Sequence, residues 1–116
     1  MTALYIGGAH QGKKALAQRL HGEKARYHFD LQETVRACLT AGGEPQDLLP
    51  GLLGLVITCD EVGCGVIPMD PAERQWREAV GRLCCGLAAQ AELVVRVSAG
   101  LPLVLKGNLP QNGGNP

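Results

Sequence analysis

The stretch that decides the fold is "YIGGAHQGKKALAQRL", residues 5–20. It contains Gly7, four further residues, Gly12 and Lys13, which is the spacing of a phosphate-binding loop (P-loop) up to the last position of that pattern. The pattern ends in Ser or Thr, and this chain has Lys14 there. The stretch therefore raises the question of whether a phosphate is bound without the usual hydroxyl.

The residues on both sides of the loop have the order that a P-loop requires. The apolar run at residues 3–6 predicts a buried strand, and "KKALAQRLH" predicts a helix from about Lys13 to His21 that stops at Gly22. Backbone N–H groups at such a helix N-terminus converge on phosphate oxygens, and the lysine reaches the outer phosphates. An ordinary strand-to-helix turn is the alternative. We predict a nucleotide site, with Lys13 as the phosphate cation, at Gly7, Gly8, Ala9, His10, Gln11, Gly12, Lys13 and Lys14.

A second strand ends in acids. The run "LGLVITCDE", residues 53–61, predicts a central parallel strand with Asp60 and Glu61 at its C-terminal edge, where open α/β sheets bind ligands. Carboxylates at that edge can hold Mg²⁺ or its waters. We predict that Asp60 and Glu61 are metal-binding residues and that Glu61, with Lys13, is catalytic. A helix-capping or solvent-facing acid pair is the alternative.

Two further helices and a pair of strands are predicted from spacing. Apolar residues recur at helical intervals from Leu31, with Asp30 as the N-cap, and a short helix begins at Pro45. Near the end of the chain, residues 93–97 and 101–106 predict two strands joined as a hairpin or bent edge pair.

A long helix is predicted to begin at Asp70 and Pro71. Its Gly81 and Gly86 are unusual in a helix interior and predict close packing against a neighbour, in a tight subunit or sheet contact. The predicted apolar face consists of Ala72, Trp76, Val80, Leu83, Leu87 and Ala91.

Length and composition indicate one globular domain. At 116 residues we expect a single domain over residues 1–107 and a disordered tail over residues 108–116. Eleven acidic residues balance eleven basic ones and aromatic residues are few, which argues against a nucleic-acid-binding protein. No apolar run approaches the roughly 20 residues that span a membrane, so we expect a cytoplasmic protein. The five cysteines form no CxxC pair and are interpreted as small buried thiols, with a reactive Cys59 or Cys64 as the alternative.

With these elements in place, the chain resembles the adenosylcobinamide kinase/adenosylcobinamide-phosphate guanylyltransferase family of cobalamin biosynthesis. The resemblance is specific in "DEVGCGVIP", residues 60–68, and in the helix "ERQWREAVGRL", residues 73–83. The first fourteen residues match less specifically, and residues 22–54 match poorly. The matching positions are Glu61, Val62, Gly63, Gly65, Val66, Pro68, Arg74, Arg77, Gly81 and Arg82.

The resemblance implies a fold and an activity. The fold is a small RecA-like P-loop α/β domain with three layers and a mainly parallel sheet, assembled into homo-oligomers. The activity is phosphorylation of the corrinoid cobinamide with ATP or GTP and Mg²⁺, followed by GMP transfer through a histidine. Lys14 replaces the family's P-loop serine, and the segment carrying the guanylylated histidine, with the acid-bearing strand beside it, has no counterpart.

Those departures make the kinase step the expected activity rather than guanylyl transfer. A non-catalytic regulatory or oligomerisation module that binds a nucleotide or a corrinoid is the alternative. A structural protein without a ligand is a third reading, and it leaves the Gly7, Gly12 and Lys13 frame unexplained.

Overall fold

The computed structural model describes residues 1–62 and 70–110 of the chain. Five strands, four α-helices and one 3₁₀ turn follow one another in these ranges. In chain order they are β1 (Ala3–Gly7), α1 (Lys13–His21), β2 (Tyr27–His28), α2 (Leu31–Thr40), the 3₁₀ turn (Pro45–Leu48), α3 (Leu49–Leu52), β3 (Val56–Asp60), α4 (Pro71–Gln90), β4 (Leu93–Ser98) and β5 (Leu101–Lys106).

The strands form one mainly parallel sheet in the order β2-β3-β1-β4-β5. Strand β1 lies in the centre and pairs in parallel with β3 and β4. Its last residue, Gly7, is paired with Asp60, the last residue of β3, so the glycine loop and the acids meet at one edge of the sheet. Among the described strands only β5 is antiparallel, and it pairs with β4 as the predicted hairpin.

Helices cover both faces of the sheet. Helix α1 packs on one face through Leu16 and Ala17. Helices α2, α3 and α4 pack on the other face, where Leu83 and Leu87 of α4 are fully buried against the strands. The predicted three-layer α/β fold with a P-loop-like strand, loop and helix is confirmed.

The long helix begins at the predicted residue, since the Asp70 carboxylate accepts a hydrogen bond from the Ala72 N–H at 2.9 Å and caps the first turn. Ala72 itself is exposed, so its place on the buried face was a wrong prediction, while the other five predicted residues are buried. A Cβ placed on the backbone of Gly86 would lie 3.5 Å from Leu49 Cδ2. Within the described residues a Cβ on Gly81 meets no atom within 4 Å, so the close packing predicted there is not found.

Three local details differ from the sequence-based expectation. Strand β2 is only two residues long and was not predicted, because two residues carry no periodicity. The short helix is divided into a 3₁₀ turn and α3, and Pro50 fits in the first turn of α3. Asp30 precedes α2 but adopts φ 56° and makes no side-chain cap.

Beyond β5, the half-buried Leu109 packs against the apolar core on the α1 side of the sheet. The rest of the predicted tail, residues 111–116, lies outside the described residues, so the domain boundary at residue 107 stays a prediction. Among the helices in the described ranges, none is both long and apolar enough to cross a membrane.

Candidate phosphate-binding site

The glycine loop connects the centre of the sheet to the start of α1. Gly12 has φ 87°, a left-handed conformation that favours glycine, and it turns the chain into the helix. His10 also has a positive φ, 60°, within the loop. Helix α1 begins at Lys13, so the loop precedes a helix N-terminus as the P-loop pattern requires.

Lys13 is buried at the base of the loop, with 6% of its surface exposed. Its Nζ donates a hydrogen bond to the Gly8 carbonyl oxygen at 2.7 Å and forms an ion pair with Asp60 Oδ1 at 2.8 Å. Lys13, predicted at the start of a helix as the phosphate cation, and Asp60, predicted at the end of a strand as a metal-binding residue, are thus in direct contact.

An open cleft of about 540 Å³ lies above this pair. A volume of this size is within the usual range of small-ligand sites, roughly 300 to 1,000 Å³. Of the eight predicted nucleotide-binding residues, six line the cleft, and Gly7 and Gly8 are not part of its lining. The full lining is Ala9, His10, Gln11, Gly12, Lys13, Lys14, Ala15, Gln18, Asp30, Thr58 and Asp60.

The loop is held from the side by the turn between β4 and β5. The Gln11 side-chain oxygen accepts a hydrogen bond from the Ala99 N–H at 2.6 Å, and its carbonyl oxygen accepts one from the Gly100 N–H at 2.8 Å. Ala99 and Gly100 both have positive φ, 51° and 77°, which directs their N–H groups toward Gln11. Sequence analysis did not foresee this contact, because its partners are 88 residues apart.

Helix α2 fixes the end of β3. The buried Gln32 side chain accepts a hydrogen bond from the Asp60 N–H at 2.9 Å, and its carbonyl oxygen accepts one from Trp76 Nε1 at 2.8 Å. Two residues earlier on β3, the Thr58 hydroxyl accepts a hydrogen bond from the Asp30 N–H at 2.9 Å. Beyond the end of β2, polar side chains thus accept the hydrogen bonds of backbone N–H groups.

Glu61 lies on the other side of Asp60. Its carboxylate receives two hydrogen bonds from Arg96, at 2.8 and 3.1 Å, in a bidentate ion pair. It lines a separate, mainly apolar cleft of about 170 Å³ with Val62 and Val80, and only Asp60 borders both clefts. The structure therefore does not bring Glu61 into the cleft of Lys13, and its catalytic role stays a prediction.

The two acids that the sequence assigned to a metal do not fit a Mg²⁺ ion held in the usual way. Mg²⁺ in phosphate sites takes one or two carboxylates and commonly a hydroxyl after the lysine. Here Asp60 and Glu61 are each engaged by a cation, and Lys14 has no oxygen to offer. Across residues 1–62 and 70–110, no group of three or more His, Cys, Asp or Glu side chains is placed to hold a metal. The metal assignment of Asp60 and Glu61 remains a prediction without geometric support.

Lys14 is exposed and occupies a different position from Lys13. Its Nζ lies over the face of Phe29, 4.8 Å from the ring centroid, and Phe29 is stacked on Tyr27 with centroids 5.1 Å apart. Among the described residues it makes no ion pair. The aromatic ring instead stabilises its charge at the cleft wall.

Of the three histidines, only His10 lines the cleft. His21 Nε2 shares a hydrogen bond with the Tyr5 hydroxyl at 2.7 Å, and His28 Nε2 shares one with Thr34 at 2.7 Å, so both half-buried rings have a structural role. Burial lowers the pKa of His21 and raises the pKa of Tyr5 to about 12.

The cysteines match the expected buried thiols only in part. Cys59 is fully buried, and its hydrogen bond with Cys84, together with burial, raises the pKa of its thiol, which makes it unreactive. Cys38 and Cys84 are half-buried and Cys85 is exposed, so these three depart from the prediction. Cys64 lies outside the described residues.

Comparisons with known proteins indicate the family of this chain. Residues 50–105, from α3 through β5, match the family described as cobinamide kinase / cobinamide phosphate guanyltransferase. The bifunctional adenosylcobalamin biosynthesis protein CobP of Pseudomonas aeruginosa is 34% identical over 90 residues. That match includes 78% of this chain and 42% of CobP, so the chain spans less than half the length of this relative. The chain belongs to the cobinamide kinase/cobinamide phosphate guanyltransferase family.

Proposed function

We propose that this chain binds the phosphates of ATP or GTP in the cleft above Lys13 and acts in cobalamin biosynthesis as a cobinamide kinase-like transferase. The observation that carries the proposal is the placement of Lys13. Its buried ammonium group sits at the N-terminus of α1, between the Gly8 carbonyl and Asp60. Membership of the family supports the pathway and the substrate class.

The residues of the cleft suit phosphoryl transfer because this reaction depends mainly on positioning and charge neutralisation. Lys13 is shielded from water, so its attraction to a phosphate is stronger than that of a surface lysine. A phosphate oxygen near Nζ would replace part of the contact with Asp60 or Gly8. The first N–H groups of α1 have no partner within the helix and supply further donors.

Guanylyl transfer is a weaker proposal for this chain. It needs a histidine nucleophile, and His21 and His28 are each hydrogen-bonded to other side chains. His10 lines the cleft, but none of its contacts in the described structure orients its ring. We therefore propose the kinase step alone.

A specific observation also favours the alternative, a non-catalytic module that binds a nucleotide or a corrinoid. Both acids at the end of β3 are held by cations, Asp60 by Lys13 and Glu61 by Arg96. Neither is poised to accept a proton from a substrate hydroxyl. Under this alternative the protein retains nucleotide affinity and transfers no phosphate.

Nucleotide binding is tested by calorimetric titration of ATP and GTP, each with and without Mg²⁺, into the wild type and Lys13→Ala. Removing a charged partner of the phosphates should weaken binding by about 10- to 100-fold. Lys24→Ala is the matched control, because Lys24 is exposed and lies outside the cleft lining. Absence of wild-type binding at millimolar nucleotide, or equal binding by Lys13→Ala, would contradict the site.

The kinase and the non-catalytic module are separated by a transfer assay. The protein is incubated with cobinamide and γ-labelled ATP or GTP, and labelled cobinamide phosphate is measured. Label transfer that Lys13→Ala abolishes supports the kinase. Nucleotide binding without transfer supports the module.

A further inference from the structure

We infer that Lys14 is a second phosphate-binding cation that takes the place of Mg²⁺ in this chain, so that nucleotide binding needs no divalent metal. This inference rests on the proposed nucleotide site and concerns how that site neutralises its ligand. Three observations lead to it: the position of Lys14, the charges of its neighbours, and the ring that holds it.

The position of Lys14 is that of the residue which normally carries the metal-binding hydroxyl. It immediately follows Lys13 in the first turn of α1, and its side chain contributes to the cleft wall. A lysine there delivers a positive charge directly to the region where a Mg²⁺ ion would otherwise bridge phosphate oxygens.

The charges of the neighbouring residues leave Lys14 as the available cation. Lys13 is paired with Asp60 at 2.8 Å, so much of its charge is already compensated within the protein. In the described ranges Lys14 forms no such pair, although Asp30 and Asp60 both line the same cleft. A polyphosphate that enters the cleft therefore meets one compensated and one uncompensated ammonium group.

Phe29 limits where the Lys14 ammonium can go. The ring lies 4.8 Å from Nζ and is itself stacked on Tyr27, whose hydroxyl donates to the Gly22 carbonyl oxygen at 2.6 Å. A lysine side chain in water samples many rotamers, and a cation–π contact at the cleft wall reduces that freedom before the ligand arrives. Phe29 is thus a positioning residue for Lys14.

The test is calorimetric titration of ATP in EDTA and in excess Mg²⁺, using the wild type, Lys14→Ser and Phe29→Leu. We expect wild-type dissociation constants in the two buffers to agree within about threefold, since a charge-assisted contact to Lys14 replaces the metal. Lys14→Ser should bind at least about tenfold more weakly in EDTA and recover in Mg²⁺, because the hydroxyl can ligate the ion. Phe29→Leu should bind about two- to fivefold more weakly in EDTA.

Lys24→Ser is the control for removing an exposed lysine, and thermal unfolding shows whether each variant is folded. Wild-type binding that appears only with Mg²⁺ would overturn the inference and leave the nucleotide site intact. Binding of Lys14→Ser in EDTA that equals the wild type would overturn it as well. Absence of wild-type binding in both buffers would instead refute the proposed function, and the inference with it.

Discussion

Gly7 lies where three strands end side by side, and the packing of these strands leaves no room for a side chain at this residue. Its carbonyl oxygen accepts the Glu61 N–H at 2.8 Å, and a Cβ on Gly7 would collide with the Val97 carbonyl oxygen. In the sequence Gly7 was the first residue of a phosphate loop. In the structure it is a core residue of the sheet from which the loop begins.

Gly7→Ala should therefore destabilise the whole domain. Overpacking at a site bounded by backbone costs roughly 1 to 3 kcal/mol, because a carbonyl group cannot rotate away as a side chain can. Urea unfolding measures the change. Gly51→Ala is the matched control, since a Cβ there meets no atom of the described structure within 4 Å and α3 accepts alanine. Equal stability of the two variants would contradict the packing argument.

The sequence predicted the residues of the site better than their partners. Lys13 and Asp60 could be assigned to one sheet edge, because a glycine loop and an acid-ended strand both belong there. The ion pair between Glu61 and Arg96 could not be foreseen, since the sequence pattern indicates only that Arg96 is a solvent-facing residue of a strand. A pairing between residues 35 positions apart depends on strand order, which spacing alone does not give.

At the scale of elements, α2 compensates for the shortness of β2. Strand β2 pairs with β3 only at Tyr27 and His28, and the N-terminal turn of α2 then supplies Gln32 to the Asp60 N–H. The helix thus carries a hydrogen bond that a longer strand would have made. Spacing predicted a helix from Leu31, but it could not show that Gln32, a polar residue of its first turn, would be buried.

Gln32→Met tests this role. Methionine keeps the length of the side chain and removes the acceptor, so the Asp60 N–H loses its partner at a cost of roughly 1 to 3 kcal/mol. The Trp76 contact should persist, because it uses the backbone carbonyl of residue 32. Chemical unfolding gives the stability, with Gln90→Met as the exposed control. A Gln32→Met protein as stable as that control would mean that water replaces the lost acceptor.

At the scale of the whole molecule, one edge of the sheet is apolar, and no other element of the described ranges covers it. Leu101, Leu103 and Leu105 of β5 are 70%, 58% and 51% exposed. The register places Leu101 opposite Ser98 and Leu103 opposite Arg96, so both leucines lie on the same face of the hairpin. Contiguous exposed leucines are typical of contact surfaces. We propose that copies of the chain associate through this leucine edge.

The proposed association through the leucine edge can be tested by measuring the mass of the protein in solution. Light scattering coupled to gel filtration should give a mass above that of one chain, and Leu103→Lys should shift it toward the monomer, because a charge would be buried in the contact. Leu53→Lys is the control, since Leu53 is 40% exposed and lies outside β5. A wild type that remains monomeric at high concentration would count against the proposal.

Most of the architecture followed from the sequence because the longer elements each had a clear local signal, whereas the two-residue strand β2 had none. Apolar runs that end in glycines or acids gave β1 and β3, and helical spacing gave α1, α2 and α4. The order of strands in the sheet and the exposure of β5 depend on contacts between distant parts of the chain. From sequence alone, the apolar run at residues 101–106 would be interpreted as buried. In the described fold no helix covers it, and its residues are exposed.

The hydrogen bonds from the β4–β5 turn to Gln11 connect the phosphate loop to the strand that carries the leucine edge. A nucleotide that changes the shape of the loop would act on Ala99 and Gly100 through these hydrogen bonds, and through them on the beginning of β5. Linked equilibria of this kind are reciprocal, so assembly would alter nucleotide affinity by the same factor by which nucleotide alters assembly. Nucleotide binding by the proposed assembly would then be cooperative, with Gln11 as the residue that connects the cleft of one copy to its contact with the next.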